Sequence, residues 1–205
     1  MYKVFSNNKA VSFCEQHKLF TIPDNCLITD FVSEELMIAQ HREFLSSPEM
    51  KEMFINCGKH VNKIFRLFTS HFLLLKAAGG VVENPEGDVL FIYRCGRWDL
   101  PKGKVEKKEK TKNTAIREVE EETGIKMLTI TGQLSPIYHT YYQDEKEILK
   151  KTYWYKMMTT DRSQPIPQTN ENISLVRWFK PTELGEVLNN TYDSLKIMIE
   201  DLKKK

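Results

Sequence analysis

The sequence predicts an α/β fold, and three observations carry that prediction. Apolar runs bounded by turn residues recur at 71–82, 89–93, 148–158 and 173–179, as strands do. Residues 111–122 and the series Tyr192, Leu195, Met198, Ile199 and Leu202 instead repeat at helical spacing. At 205 residues, with 40% hydrophobic and 28% charged side chains, the chain can bury a sizeable core and is not disordered wholesale.

Taken in order, residues 2–13 read as a hairpin broken at Asn7-Asn8, and residues 26–32 as a strand. Ser47-Pro48-Glu49 reads as a helix start, with Met50, Met53, Phe54 and Cys57 on one face and Gly58 at the stop. No repeat, low-complexity tract or flexible linker sets residues 1–69 apart, so this segment is expected as a small α+β extension. It either packs on the remainder, residues 70–205, or helps a homodimer form. The strand at 71–82 contains an Ala-Ala-Gly-Gly step, Pro85-Glu86-Gly87 makes a turn, and 89–93 returns. Residues 128–142 and 148–158 alternate as two strands joined at 143–147. A polar, proline-bearing loop then precedes the strand at 173–179 and the amphipathic helix that ends the chain.

Composition narrows the function classes. A net charge of +2 without a basic stripe argues against a nucleic-acid partner, and Lys203-Lys204-Lys205 reads as a solvated tail. Cys14, Cys26, Cys57 and Cys95 form no Cys-x-x-Cys pair and read as reduced, mostly buried thiols. The longest apolar run, near 72–78, is interrupted by Lys76 and too short to span a bilayer, and no signal-type stretch opens the chain. A cytoplasmic protein with no membrane partner is expected.

The chemistry concentrates in the helix at 111–122, expected to be capped by Thr111 and stopped by Gly124. At about 100° per residue, Ala115, Ile116, Val119 and Thr123 share an apolar arc. Glu118, Glu121 and Glu122 cover the adjoining arc, while Glu120 points away and reads as solvated. Glutamates in the last turn face the negative end of the helix dipole and repel one another, a conflict that a divalent cation reverses. An all-oxygen donor set without His or Cys suits Mg²⁺, with Mn²⁺ as a substitute, rather than zinc. Arg117 borders the cluster and can grip a carboxylate with two prongs.

The spacing is Gly103, five residues, Glu109, seven residues, Arg117-Glu118-Val119, one residue, Glu121-Glu122, one residue, Gly124-Ile125. It resembles the Nudix box, with no departure at any defined position. The resemblance implies a mixed β-sheet sandwiched between helices, with the box as a loop, helix and loop. It implies a Mg²⁺-dependent pyrophosphohydrolase acting on a nucleoside diphosphate linked to another moiety. Glu118, Glu121 and Glu122 would be metal ligands, joined by the backbone carbonyl of Lys102, with Glu109 and Arg117 as a supporting pair. Glu118 leads as the group that orients or deprotonates water, and Glu171, in the loop before the strand at 173–179, is the alternative acid. Lys102 and Lys104 flank the box glycine as candidates for the diphosphate, and Trp98 and Tyr142 as candidates to stack on a base. Trp-Asp-Leu-Pro-Lys-Gly-Lys, and a tyrosine 16 or 17 residues beyond the box, resemble Nudix enzymes acting on dinucleoside polyphosphates and related phosphate-rich compounds. The second functional class is a non-catalytic nucleotide sensor built on the same domain.

Overall fold

The computed structural model describes residues 1–15 and 25–203 and divides the chain into two compact units. Of Lys203-Lys204-Lys205 only the backbone of Lys203 is described, so the expected tail lies outside the described residues. The first unit comprises Met1–Leu75 together with Tyr138–Lys151, and the second Lys76–Ile137 with Thr152–Lys205.

In the first unit, β1 (Tyr2–Ser6) and β2 (Lys9–Cys14) pair antiparallel across Asn7-Asn8, as expected. Asn7 takes φ +52°, a left-handed value that asparagine tolerates in a tight turn. β3 (Cys26–Asp30), α1 (Glu34–Ser46) and β4 (Glu52–Asn56) follow, and α2 (Val61–Thr69) comes after a 3-10 turn at Gly58–His60. β2, β4 and β3 run parallel in that order, with β4 in the middle. The helix expected from Ser47 to Cys57 is therefore a central strand. Met53 and Ile55 point inward while Glu52, Phe54 and Asn56 are half-exposed, a period of two that four apolar residues at near-helical spacing concealed. Ser47 instead closes α1, its N–H donating to the Glu43 carbonyl.

Neither α1 nor α2 was anticipated. Ser33 caps α1 by accepting from the Leu36 N–H at 3.2 Å, and Met37, Ile38, His41 and Phe44 make its inner face. In α2 the inner face is Val61, Ile64, Phe65 and Phe68.

The second unit is built on β5 (Leu73–Glu83) from Lys76 onward, β6 (Val89–Arg94), β11 (Lys146–Thr159) from Thr152 onward and β12 (Ile173–Phe179), in the sheet order β12-β6-β5-β11. Short strands β7 (Arg97–Asp99) and β8 (Lys102–Lys104) add to β6 and β5, and β9 (Leu128–Gln133) adds to β11. The single run expected at 128–142 is two strands, β9 and β10 (Ile137–Gln143). It breaks at Leu134-Ser135-Pro136, where the proline has no N–H to give a ladder. α3 (Thr111–Thr123) packs Ala115 and Val119 on the sheet, and α4 (Leu184–Asn189) and α5 (Asp193–Lys203) end the chain.

The Ala-Ala-Gly-Gly step of β5 sets how close everything else comes. A Cβ on Gly79 would overlap the Pro101 carbonyl, and one on Gly80 would lie 2.9 Å from Val119 Cγ2. Only glycine lets the loop before α3 lie on one side of the strand and α3 itself on the other.

The first unit's core holds a cluster of tilted and edge-on aromatic rings in which Phe68 meets Phe13, His41 and Phe72 at centroid separations of 4.9–5.0 Å. Truncating Phe68 to Ala should cost about 3–5 kcal/mol of stability. Urea unfolding of the variant beside the parent chain checks this, and a midpoint unchanged within error would contradict it.

Candidate active site

The N-cap of α3 is Lys110 and not the expected Thr111: Lys110 gives no side-chain cap, and the Thr111 hydroxyl, already in the first turn, lies 2.7 Å from that of Tyr155. The other end is as expected, with Gly124 at φ +73° and its N–H bonded to the Glu120 carbonyl. Ala115, Val119 and Thr123 are fully buried, so the angular assignment of faces holds, and Glu120 joins none of the ion pairs of the site.

Arg117 gathers the acids. Its guanidinium grips Glu109 with two prongs, Nε to Oε1 at 3.0 Å and Nη2 to Oε2 at 3.1 Å. Nη1 reaches Glu118 Oε1 at 2.8 Å and Glu121 Oε2 at 2.9 Å, and Nη2 also donates to the Lys104 carbonyl at 3.2 Å. The fork on Glu109 holds that carboxyl down to about 2. Glu118 is nearly enclosed and its carboxylate lies against Gly103, so closely that a Cβ there would overlap it. Burial pushes Glu118 up, Arg117 opposes that, and the charges of Glu121 and Glu171 add to it.

Glu122 departs most from the sequence reading. Its side chain is 2% exposed, accepting the Lys102 N–H at 2.8 Å on Oε2 and Arg94 Nη1 at 3.2 Å on Oε1. Burial pushes it up to about 7 even though Lys102 and Arg94 pull the other way. Arg94 Nη2 extends to Glu171 Oε2 at 3.0 Å, so Glu171 does join the network, through an arginine that no motif marks. The loop that carries Glu171 is fastened to the end of α3: the Ile166 N–H bonds to the Thr123 carbonyl at 2.8 Å and the Gln168 N–H to that of Glu122 at 3.3 Å. These bonds also satisfy carbonyls that a helix end leaves open.

The remaining candidates divide. The Lys102 ammonium is committed to buried Asp99, which in turn accepts the Leu100 N–H, so its side chain is not free for a diphosphate. Lys104 is exposed. Trp98 is 5% exposed, edge-on to Tyr93 and Phe179 at 5.0 and 4.7 Å, and belongs to the core where a stacking surface was expected. Tyr142 is 70% exposed and belongs to the first unit, outside this network. Asp99 is the other residue that sequence reasoning missed. The signal was present, since it is the lone acid in the apolar tract Trp98 to Pro101. The four cysteines are free thiols, but only Cys57 is buried and Cys95 is exposed.

Among the described residues no three acidic, histidine or cysteine side chains already converge as a metal cage. The donor chemistry nevertheless fits a hard divalent cation. Glu118, Glu121 and Glu122 lie at one helix end, and Glu118 is raised partly by the neighbouring negative charges that a cation would offset.

Fold and site together define a mixed α/β protein with an acidic helix end whose oxygen donors suit a hard divalent cation. A family model, the NUDIX domain, matches residues 73–202, and the chain belongs to that family. Among characterised relatives, the mRNA-decapping enzyme subunit 2 of Arabidopsis thaliana is 22% identical over 195 residues, 91% of this chain and 50% of its own length. The chain therefore spans about half the length of that relative. A MutT-like protein of Streptomyces ambofaciens is 28% identical over 118 residues, 57% of this chain and 70% of the relative. Among solved structures, a binary complex of the C. elegans Ap4A hydrolase is 22% identical with a TM-score of 0.49, covering 63% of this chain and 96% of the other.

Replacing Gly103 by Ala should push Glu118 out of its place, because the obstructing atoms are the free end of a side chain and not backbone. Stability should change by under about 1 kcal/mol while phosphohydrolase turnover drops at least about tenfold. A large loss of stability with turnover retained would contradict this. In metal-free buffer, the Glu109–Arg117 pair should stabilise the fold fully above pH 4.5, the ordinary glutamate value, and lose that contribution as the pH falls toward about 2. Melting curves of Glu109→Gln and the parent chain should thus converge across that window, and a constant gap would disprove the linkage.

Proposed function

We propose that the chain is a Mg²⁺-dependent pyrophosphohydrolase that cleaves a nucleoside diphosphate linked to another moiety, with dinucleoside polyphosphates and related phosphate-rich compounds as its first candidates. The observation that carries this reading is the intact acid set around α3, held by Arg117 and Arg94, with Glu118 against Gly103 and close enough to Glu171 to feel its charge. A protein that merely binds a nucleotide has no use for so many enclosed carboxylates beside one another.

Glu118, Glu121, Glu122 and the Lys102 carbonyl are the proposed ligands. A cation there would neutralise phosphate oxygens and acidify a bound water. The chain's own residues supply position. Arg117 fixes Glu118 and Glu121 relative to each other, and the Lys102 N–H and Arg94 fix Glu122. Glu118, raised by burial, is the leading group to orient or accept the proton of the attacking water, and Glu171 on its Arg94 anchor is the alternative. Little covalent help is required, because placement and neutralisation supply most of the rate in phosphoryl transfer.

A second reading has one specific observation behind it. The decapping relative aligns over 91% of the chain, the N-terminal segment included, so the moiety attached to the diphosphate is proposed to extend to a capped RNA end.

The test is release of nucleotide or phosphate, with Mg²⁺ present, from dinucleoside polyphosphates, nucleotide sugars, nucleoside triphosphates, diphosphoinositol polyphosphates and a capped RNA. Turnover of at least one class is expected, lowered by orders of magnitude in Glu118→Gln, and Glu171→Gln should do likewise only if it is the base. Binding across the panel without turnover, by metal-replete protein, would identify a sensor instead.

A further inference from the structure

The first unit contains a cavity of about 660 Å³, between the β1–β2 turn, α1 and β10, that none of the box residues lines. Its volume falls in the range of pockets that enclose a small ligand. Two of its side chains are left unsatisfied. His41 is 2% exposed and Thr140 5%, yet among the described residues neither His41 Nε2 nor the Thr140 hydroxyl has a hydrogen-bond partner. Buried polar atoms in folded proteins are nearly always paired, so two orphans on one cavity point to a partner supplied from outside. Burial pushes His41 down to about 4, so at neutral pH it offers an uncharged donor and an acceptor.

The charge of the cavity has one sign to spare. Lys9 and Lys51 both line it. The Lys9 ammonium caps the end of α1 by donating to the Phe44 carbonyl at 2.6 Å and to that of Ser47. Burial first, and the Lys51 charge second, lower its proton affinity, which places the two ammonium groups within reach of each other's field. Lys51 is exposed and joins no ion pair among the described residues. Glu147, the carboxylate on the lining, is answered by Arg42 at 3.1 Å. An anion would relieve the repulsion between the lysines and give the orphans their bonds. Leu45 and Phe72 supply an apolar wall for the rest of such a molecule.

We propose that this cavity binds a small organic oxyanion of mononucleotide size, its anionic head held by Lys51, Thr140 and His41 and its body laid against Leu45 and Phe72. The site stands apart from the hydrolase reading, since it uses none of residues 103–125 and needs no metal.

The experiment is calorimetric titration of the full chain in metal-free buffer with AMP as the probe, and with inorganic phosphate and adenosine as separate arms. AMP should bind more tightly than either fragment, and Lys51→Ala and Thr140→Val should each weaken it about tenfold. Thr140→Val also removes a buried hydroxyl without a partner. It should therefore raise the melting temperature of the ligand-free protein by about 2–4 °C, a gain that no merely structural hydroxyl would give. AMP binding that is absent, or unchanged in both variants, overturns the proposal. So does a lower melting temperature for Thr140→Val, or phosphate binding as tight as AMP. A protein inactive across the substrate panel but retaining this binding would sink the hydrolase and leave the site standing.

Discussion

The structure of the site depends on one buried carboxylate. Glu122 joins α3 to the loop before it through the Lys102 N–H, and to strand β6 through Arg94. Arg94 carries the connection on to Glu171 in the loop after β11. An enclosed charge is tolerated only when it is paired and hydrogen-bonded, and stripping away one partner of such a pair typically costs about 3–5 kcal/mol. Four segments remote in sequence are thus held together by a group whose desolvation demands all of its partners. Arg117 does the equivalent on the outer face, but with more solvent access and therefore less at stake.

This arrangement also resolves the conflict read from the sequence. Three glutamates at the negative end of a helix repel one another, yet here each carboxylate faces a cation or N–H: Glu118 and Glu121 share Arg117, while Glu122 faces the Lys102 N–H and Arg94. The compensation is incomplete at Glu118, where Glu121 and Glu171 add to the burial that raises it. The acids are therefore bridged by arginine, and the uncompensated negative charge lies at the carboxylate resting on Gly103.

How much of this was legible follows the range of the interactions. The carboxylate face of α3, its Gly124 stop and the Glu109–Arg117 pair lie within one short stretch, where helical geometry fixes which side chains meet. Arg94 was illegible because its partners are 28 and 77 residues away and nothing around it marks a strand-ending arginine as special. Trp98 read as a stacking surface because an aromatic residue beside a motif carries no label of burial; Tyr93 and Phe179 provide that. In the first unit, residues 47–57 misled because a short apolar run flanked by turn residues fits either period. The choice was made by the neighbours β2 and β3, which take the main chain of β4 on both edges.

The fastening of the loop that bears Glu171 has a broader consequence. Its two bonds to the end of α3 are made by main-chain N–H groups of Ile166 and Gln168, not by side chains. A strap of that kind is blind to residue identity, apart from its need for an N–H at those two positions. Asp161, which accepts the Lys126 and Ser163 N–H groups, and Arg162, which pairs with Glu86, still hold the start of the loop, whereas the exposed side chains of Ser163, Gln164 and Ile166 take no part in the strap. Those three positions can change residue by residue while the loop that carries Glu171 stays fastened by its main chain.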